Sequence, residues 1–166
     1  CGAMMREMGL SVRAAYMGGG TPTSLTAAQL ARVLDEADYI FHLGDGRYDV
    51  REIEEKYPEK VYTFKGNCDL CGGLREAEIE IEGVKIFACH GDMYRVKSEP
   101  FTLAEEAKKR GAAVALYGHT HNAAIEEIGG VTLVCPGTMK FPLYAGGTYA
   151  YLVICGDKCT VTIVGE

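Results

Sequence analysis

Apolar side chains recur along this chain with two different periods, and the longer period marks helices. Over residues 26–37 they follow the i, i+3, i+4, i+7 spacing of an amphipathic helix, and Thr26 and Gln29 can form a capping box at its start. Similar spacing occurs before Pro58 and after Pro100. Pro58 is expected to end the first of these two helices and Gly111 the second, because proline and glycine commonly end helices. The pattern therefore predicts three helices, over residues 26–37, up to Pro58, and from Pro100 to Gly111.

The shorter period and the continuous apolar runs predict strands. Residues 39–43 and 61–64 are short apolar runs closed by glycine turns, as in buried parallel strands. Within residues 77–81 apolar side chains alternate with glutamates, as in a strand with one solvent-exposed face. Further strands are predicted over residues 12–17, 84–89, 112–117, 123–128, 131–134, 148–154 and 160–164. The chain is α/β first and mostly β afterwards, and its 166 residues fit one domain with an atypical first segment, residues 1–25.

Composition narrows the class of protein. With 24% charged and 48% hydrophobic residues and no apolar run near ~18 residues, a soluble protein without a membrane span is expected. The formal net charge of -6 disfavours strong binding to nucleic acid phosphates. If the chain acts on a small phosphate ester, a bound cation has to supply the attraction.

Seven cysteines occur in a chain that shows no secretory signal, and we interpret them as reduced thiols of a cytoplasmic protein. Cys68-x-x-Cys71 and Cys155-x-x-x-Cys159 lack a second pair at matching spacing, which disfavours a structural zinc site. A redox function is also disfavoured, because the Cys-x-x-Cys does not begin a predicted helix.

Four predicted strands end at residues that commonly bind metals. These residues are Asp45, Asn67, His90 and the pair His119 and His121, each next to or near a glycine. Because the carboxyl ends of strands in an open α/β sheet line one crevice, we expect these side chains to converge at one rim of a sheet. Oxygen and nitrogen ligands without thiolates suit Mn²⁺, Fe, Zn²⁺ or Ni²⁺, and manganese is the first choice.

Taken alone, each motif has a plainer interpretation. Gly44-Asp45 on its own is usually a turn, and glycine runs are too. His119-Thr120-His121 is stronger, because two imidazoles after a buried strand are costly to desolvate without partners. His42 lies inside a predicted strand, and we expect it to be a packed histidine or one that supports a ligand.

Together the motifs resemble those of the calcineurin-like metallophosphoesterases, in particular the small phosphodiesterases of the YfcE type, which in turn resemble the retromer subunit VPS29. The resemblance rests on Leu43-Gly44-Asp45, Gly66-Asn67-Cys68-Asp69, His90-Gly91, Gly118-His119-Thr120-His121 and Cys135-Pro136-Gly137-Thr138. It implies a two-layer β-sandwich flanked by helices, in a four-layer α/β/β/α arrangement.

The resemblance also implies roles for these residues. Asp45 would bridge two metal ions, with Asn67, His90 and His119 completing one coordination sphere and His121 belonging to the other. Cys68 and Asp69 would lie close to the substrate, and together with His121 they are the expected catalytic residues. One or two ions per chain are therefore expected.

The family's opening Asp-x-His is missing from this chain. Residues 18–22 read Gly-Gly-Gly-Thr-Pro, and no Asp or His precedes Asp35, so that Glu7 is the one acidic residue there. Residues 12–34 instead resemble a segment of oxygen-independent coproporphyrinogen oxidases, whose cysteine cluster motif this chain lacks. The segment is then a fusion remnant, a packed glycine loop, or a nest of backbone N–H groups for an anion.

Two functions follow as expectations. In the first, a metal-bound water attacks phosphorus, with weakened activity or a shift toward phosphodiesters because part of the two-metal clamp is lost. In the second, as in VPS29, the fold is a protein-binding scaffold with impaired catalysis. The apolar loop over residues 139–144 is a candidate contact for a homo-oligomer or a cover for the substrate cleft, although a covered core edge is the commoner role of such a loop.

Overall fold

The computed structural model describes residues 14–17, 32, 34–139 and 147–165. Two five-stranded sheets, two α-helices with described bounds and a short 3-10 helix at Asp92–Tyr94 make up most of this part of the chain. The first sheet contains β1 (Ala14–Met17), β2 (Tyr39–His42), β3 (Val61–Thr63), β9 (Thr148–Cys155) and β10 (Lys158–Gly165). The second contains β4 (Glu76–Ile81), β5 (Val84–Cys89), β6 (Val114–Leu116), β7 (Ala123–Ile128) and β8 (Val131–Pro136).

Strand order is β10-β9-β1-β2-β3 in the first sheet and β4-β5-β6-β8-β7 in the second. Within the first sheet β2 runs parallel to β1 and to β3, and β9 closes on β1 in antiparallel register. Within the second sheet β6 runs parallel to β5 and β8. Both sheets are therefore mixed, and each contains three neighbouring parallel strands.

The helices cover the outer faces of the two sheets. Helix α1 (Arg47–Lys56) packs on β3, whereas α2 (Pro100–Lys109) packs on β6 and β8. Between the helices the sheets face each other, with β8 against β9 and β7 against β10. This arrangement confirms the predicted four-layer α/β/β/α sandwich.

The core lies between the two sheets and consists of aliphatic and aromatic side chains from both. Phe41 and Leu152 of the first sheet and Phe87 and Leu133 of the second are fully buried in one cluster. Along β9 every second residue points inward, as a half-buried strand requires. Burial of this apolar surface is the main term that holds the sandwich together.

The predicted strands are confirmed, with small shifts at their ends. So are the helices before Pro58 and after Pro100, the latter followed by Gly111 at φ 73. Of the helix predicted over residues 26–37, residues 32 and 34–36 are helical and the other predicted residues before 34 lie outside the described part. The glycine run 18–22 and nearly all of loop 139–144 lie outside it as well.

None of the helices described here is long and apolar enough to cross a membrane.

Candidate metal centre

Four side chains that follow parallel strands meet where the two sheets adjoin. Asp45 and Asn67 follow β2 and β3 of the first sheet, while His90 and His119 follow β5 and β6 of the second. Both strand pairs are parallel, so each pair brings two side chains to one edge. We expected these side chains to converge at the edge of one sheet, and this expectation is wrong. Two of them lie at the edge of the first sheet and two at the edge of the second.

Asp45, His90 and His119 bring their ligand atoms within 4.8 Å of one another. His90 Nε2 lies 3.5 Å from Asp45 Oδ2 and 3.1 Å from Asn67 Oδ1. The rings of His90 and His119 are nearly perpendicular, with centroids 5.0 Å apart. Four of the five predicted metal ligands thus lie around one point.

The tautomer of His90 is set by the main chain. Its Nδ1 lies 2.6 Å from the carbonyl oxygen of Leu43, and a carbonyl oxygen can only accept, so Nδ1 carries the hydrogen. In the neutral ring the Nε2 lone pair then points toward Asp45 and Asn67. A backbone partner on one ring nitrogen that frees the other is the usual arrangement behind a metal-binding histidine.

Asp69 holds the loops that carry two of the ligands. Its Oδ2 accepts from the backbone N–H groups of Asp45 and Gly66, each at 2.9 Å, and its Oδ1 accepts from those of Gly46 and Arg47, each at 3.2 Å. Desolvation raises the pKa of the Asp69 carboxyl, but these four hydrogen bonds outweigh it and hold the pKa below its ordinary value.

Glycine lets the two ligand loops of the first sheet approach closely. A Cβ on Gly66 would overlap Asp45 Oδ1, and a Cβ on Gly44, which has φ 88, would lie 2.5 Å from the Gly66 nitrogen. Asp45 and His119 themselves have φ of 62 and 66, a left-handed conformation that is strained for both. The surrounding packing therefore fixes the ligand positions against local preference.

His119 and His121 differ in their surroundings. His119 is half-buried, and desolvation, with Lys97 and His90 nearby, lowers its pKa, so the ring is neutral and able to bind a metal at neutral pH. His121 is exposed, and among the residues described here it is not a member of the ligand cluster. The resemblance implies that His121 is a ligand of a second metal ion, and that role stays a prediction.

Cys68 lies at the open side of the site. Its backbone N–H donates to Asp45 Oδ1 at 2.9 Å, and its thiol accepts a weak hydrogen bond from Asn67 Nδ2 at 3.4 Å. The charge of Asp45, and then desolvation, raise the pKa of the thiol, which stays protonated and is a poor nucleophile. The catalytic roles expected of Cys68 and Asp69 stay predictions.

His42 is buried in β2, as expected of a packed histidine, and neither ring nitrogen has a hydrogen-bond partner in the described part of the chain. Burial lowers its pKa to about 4, against the opposing effect of Asp69 and Glu54. The imidazole is thus neutral near pH 7.

The anchoring roles of the Leu43 carbonyl and of Asp69 left no signal in the pattern of the sequence, because backbone contacts carry both.

Similarity to known proteins agrees with this geometry. Residues 23–157 match the calcineurin-like phosphoesterase superfamily domain. The "Probable metallophosphoesterase YsnB" of Bacillus subtilis is 31% identical over 130 residues, which cover 76% of this chain and 74% of that protein.

Solved structures share the fold. A predicted phosphoesterase from Streptococcus pneumoniae superposes with a TM-score of 0.75 at 24% identity, covering 92% of this chain and 88% of that one. Vps29 from Entamoeba histolytica, complexed with Zn²⁺, superposes with a TM-score of 0.63 at 20% identity, covering 92% and 98%. At these identities the likeness concerns the fold alone. The domain match and the Bacillus relative establish that this chain belongs to the calcineurin-like phosphoesterase superfamily.

Proposed function

We propose that the chain is a metal-dependent phosphoesterase that hydrolyses small phosphate esters, with a preference for phosphodiesters. Asp45, Asn67, His90 and His119 would hold a divalent ion. When bound, such an ion lowers the pKa of coordinated water and offsets charge on the phosphoryl oxygens. No protein nucleophile is then required, which agrees with the protonated thiol of Cys68.

The main support for the proposal is the set of hydrogen-bond acceptors around His90 Nε2. Since the Leu43 carbonyl fixes the hydrogen on Nδ1, a neutral His90 presents a lone pair to two acceptors, Asp45 Oδ2 at 3.5 Å and Asn67 Oδ1 at 3.1 Å. Facing acceptors repel each other unless a proton or a cation lies among them. Such a convergence of lone pairs from three residue types matches the donor set of a divalent transition metal.

The remaining residues keep these ligands in place. Asp69 binds the backbone on both sides of Asp45 and at Gly66, so the two loops of the first sheet move together. Leu43 orients His90, and the left-handed backbone of His119 turns its ring toward the same point. A rigid set of ligands of this kind costs little reorganisation when an ion or a phosphoryl group binds.

We propose weakened rather than full two-metal activity. The Asp-x-His of the family is missing from the sequence, and His121 is exposed and outside the described cluster. With one ion, nucleophile activation survives while part of the in-line clamp on attacking and leaving oxygens is lost. Manganese stays our first choice, and zinc is the alternative that the Zn²⁺ complex of Entamoeba histolytica Vps29 supports.

The test is release of nitrophenol from bis(p-nitrophenyl) phosphate with and without added Mn²⁺, together with metal analysis of the purified protein. We expect metal-dependent turnover that His90→Ala abolishes, whereas Phe101→Ala, an exposed residue of α2, leaves it unchanged. If the folded wild-type protein shows no metal-dependent turnover, the enzyme function is excluded and the Vps29-like scaffold is the remaining candidate. In that case His90→Ala should leave partner binding unchanged.

A further inference from the structure

A cavity adjoins the metal centre on the side of α1. It has a volume of about 460 Å³ and lies between the first two turns of α1 and the loop after Asn67. Arg47, Tyr48 and Arg51 line it from the helix, and Cys68, Leu70 and Cys71 from the loop. Because the Cys68 N–H donates to Asp45, the cavity and the metal centre share a wall.

Two large hydrophobic side chains at this cavity are unusually exposed. Leu70 is 89% exposed and Tyr48 is 80% exposed, whereas Phe101, the next most exposed in the described part of the chain, is 56% exposed. Single exposed apolar residues need no explanation, but here the two extremes line the same cavity. Flat aromatic and apolar surfaces beside a polar centre are typical of sites for organic ligands.

Arginine side chains in the cavity are only loosely satisfied. Arg47 Nε is buried without a hydrogen-bond partner among the described residues, and its Nη2 lies 3.8 Å from Glu54. A Cβ on Gly72 would overlap Arg47 Nη1, so the loop holds the guanidinium in place. Arg51 has a long contact of 3.4 Å to the exposed Glu55. Pairs of this kind contribute little to stability, which leaves their N–H groups available to a ligand.

Charge within the cavity argues for an uncharged ligand group. Glu54 and Asp69 line it together with Arg47 and Arg51, so the formal charges balance. A second phosphate would meet two carboxylates there. A neutral ring with carbonyl or ring-nitrogen acceptors would accept from the guanidinium groups and stack on Tyr48.

We propose that this cavity binds a nucleoside-like, heteroaromatic organic group of the phosphodiester whose phosphorus lies at the metal centre. The inference rests on the proposed function and specifies its substrate class. The ring packs between Tyr48 and Leu70, and Arg47 and Arg51 donate to its acceptors. The phosphoryl group then projects past Cys68 toward Asp45.

The experiment compares two diesters with the same leaving group and charge, methyl p-nitrophenyl phosphate and thymidine 5′-(p-nitrophenyl phosphate), on the Mn²⁺-loaded wild-type protein. We expect kcat/KM for the nucleoside diester to be higher by at least about tenfold, as expected for one stacked base. Tyr48→Ala and Leu70→Ala should each bring the ratio of the two kcat/KM values close to one. Phe101→Ala, the matched exposed apolar residue on α2, should leave the ratio unchanged.

Equal kcat/KM for both diesters in the wild-type protein would overturn the inference while leaving the proposed function standing. If neither diester is hydrolysed, saturation-transfer NMR with thymidine 5′-monophosphate decides. Saturation of the base protons by the wild-type protein, lost in Tyr48→Ala, supports the cavity as a binding site even though the proposed function fails. Saturation that is the same in Tyr48→Ala, or absent from both proteins, overturns it.

Discussion

Asp69 Oδ2 accepts a hydrogen bond from the backbone N–H of Asp45 at 2.9 Å. The loop after β2, which carries the candidate ligand Asp45, is therefore attached to the loop after β3 through one carboxylate, which also binds the N–H groups of Gly46, Arg47 and Gly66. In Asp69→Asn an amide NH₂ would replace one of the two accepting oxygens and face N–H donors. We expect a loss of about 1–3 kcal/mol in the free energy of unfolding and weaker Mn²⁺ binding.

Urea unfolding and Mn²⁺ titration of the Asn variant would measure both effects. Glu55→Gln is the matched control, because it is an exposed carboxylate on α1 and should stay within about 0.5 kcal/mol of wild type. Unchanged stability and metal affinity in Asp69→Asn would show that the four hydrogen bonds do not position the ligands.

Gly66 is expected to be essential for metal binding. Its missing side chain leaves room for Asp45 Oδ1, which a Cβ would overlap. Gly66→Ala should therefore displace the carboxylate and lower Mn²⁺ affinity at least about tenfold, equivalent to about 1.4 kcal/mol. The control is Gly111→Ala, where φ is 73 but no atom lies within 4 Å of a Cβ. That variant should lose stability and keep its metal affinity.

His42 is expected to make the protein less stable in acid. Its pKa is about 4 in the folded protein and ~6.5 in the unfolded chain, so between these values the unfolded chain binds more protons. The free energy of unfolding should fall as pH falls from ~6.5 toward ~4, with this residue contributing about 2 kcal/mol between pH ~7.5 and pH ~5. Urea unfolding of wild type and His42→Leu at both pH values would isolate that contribution.

In His42→Leu the difference in stability between the two pH values should shrink by that amount. The variant should also fold at neutral pH, because it removes two buried ring nitrogens without hydrogen-bond partners in the described chain. The same pH dependence in both proteins would assign the acid sensitivity to other groups.

His119 and His121 should not be equivalent. His119→Ala removes a member of the ligand cluster, and we expect a loss of at least about tenfold in Mn²⁺ affinity with a parallel loss of turnover. His121→Ala removes an exposed ring outside it, and we expect a change below about threefold. Metal analysis and diesterase assays of the two variants would measure this. Equal losses would show that His121 binds an ion without the family's Asp-x-His.

The sequence predicted the strands and the candidate ligands at their ends because both depend on local pattern. Buried runs such as residues 39–43 end where the chain must turn, and Asp45, Asn67, His90 and His119 stand at those turns. The division of these ligands between two sheets depends on strand pairing over long distances, which periodicity does not encode. The cavity beside Asp69 could not be predicted either, since it depends on how the loop after Asn67 folds back against Arg47.

Strand β1 pairs with β2 on one side and with β9 on the other. During synthesis β1 leaves the ribosome long before β9 is made. One edge of β1 therefore stays unpaired until β9 is available. The five strands of the second sheet are all made in that interval, and they include the supports of His90 and His119. The β1 edge that β9 covers therefore stays unpaired while the strands that carry both halves of the centre are made, and the first sheet is completed last.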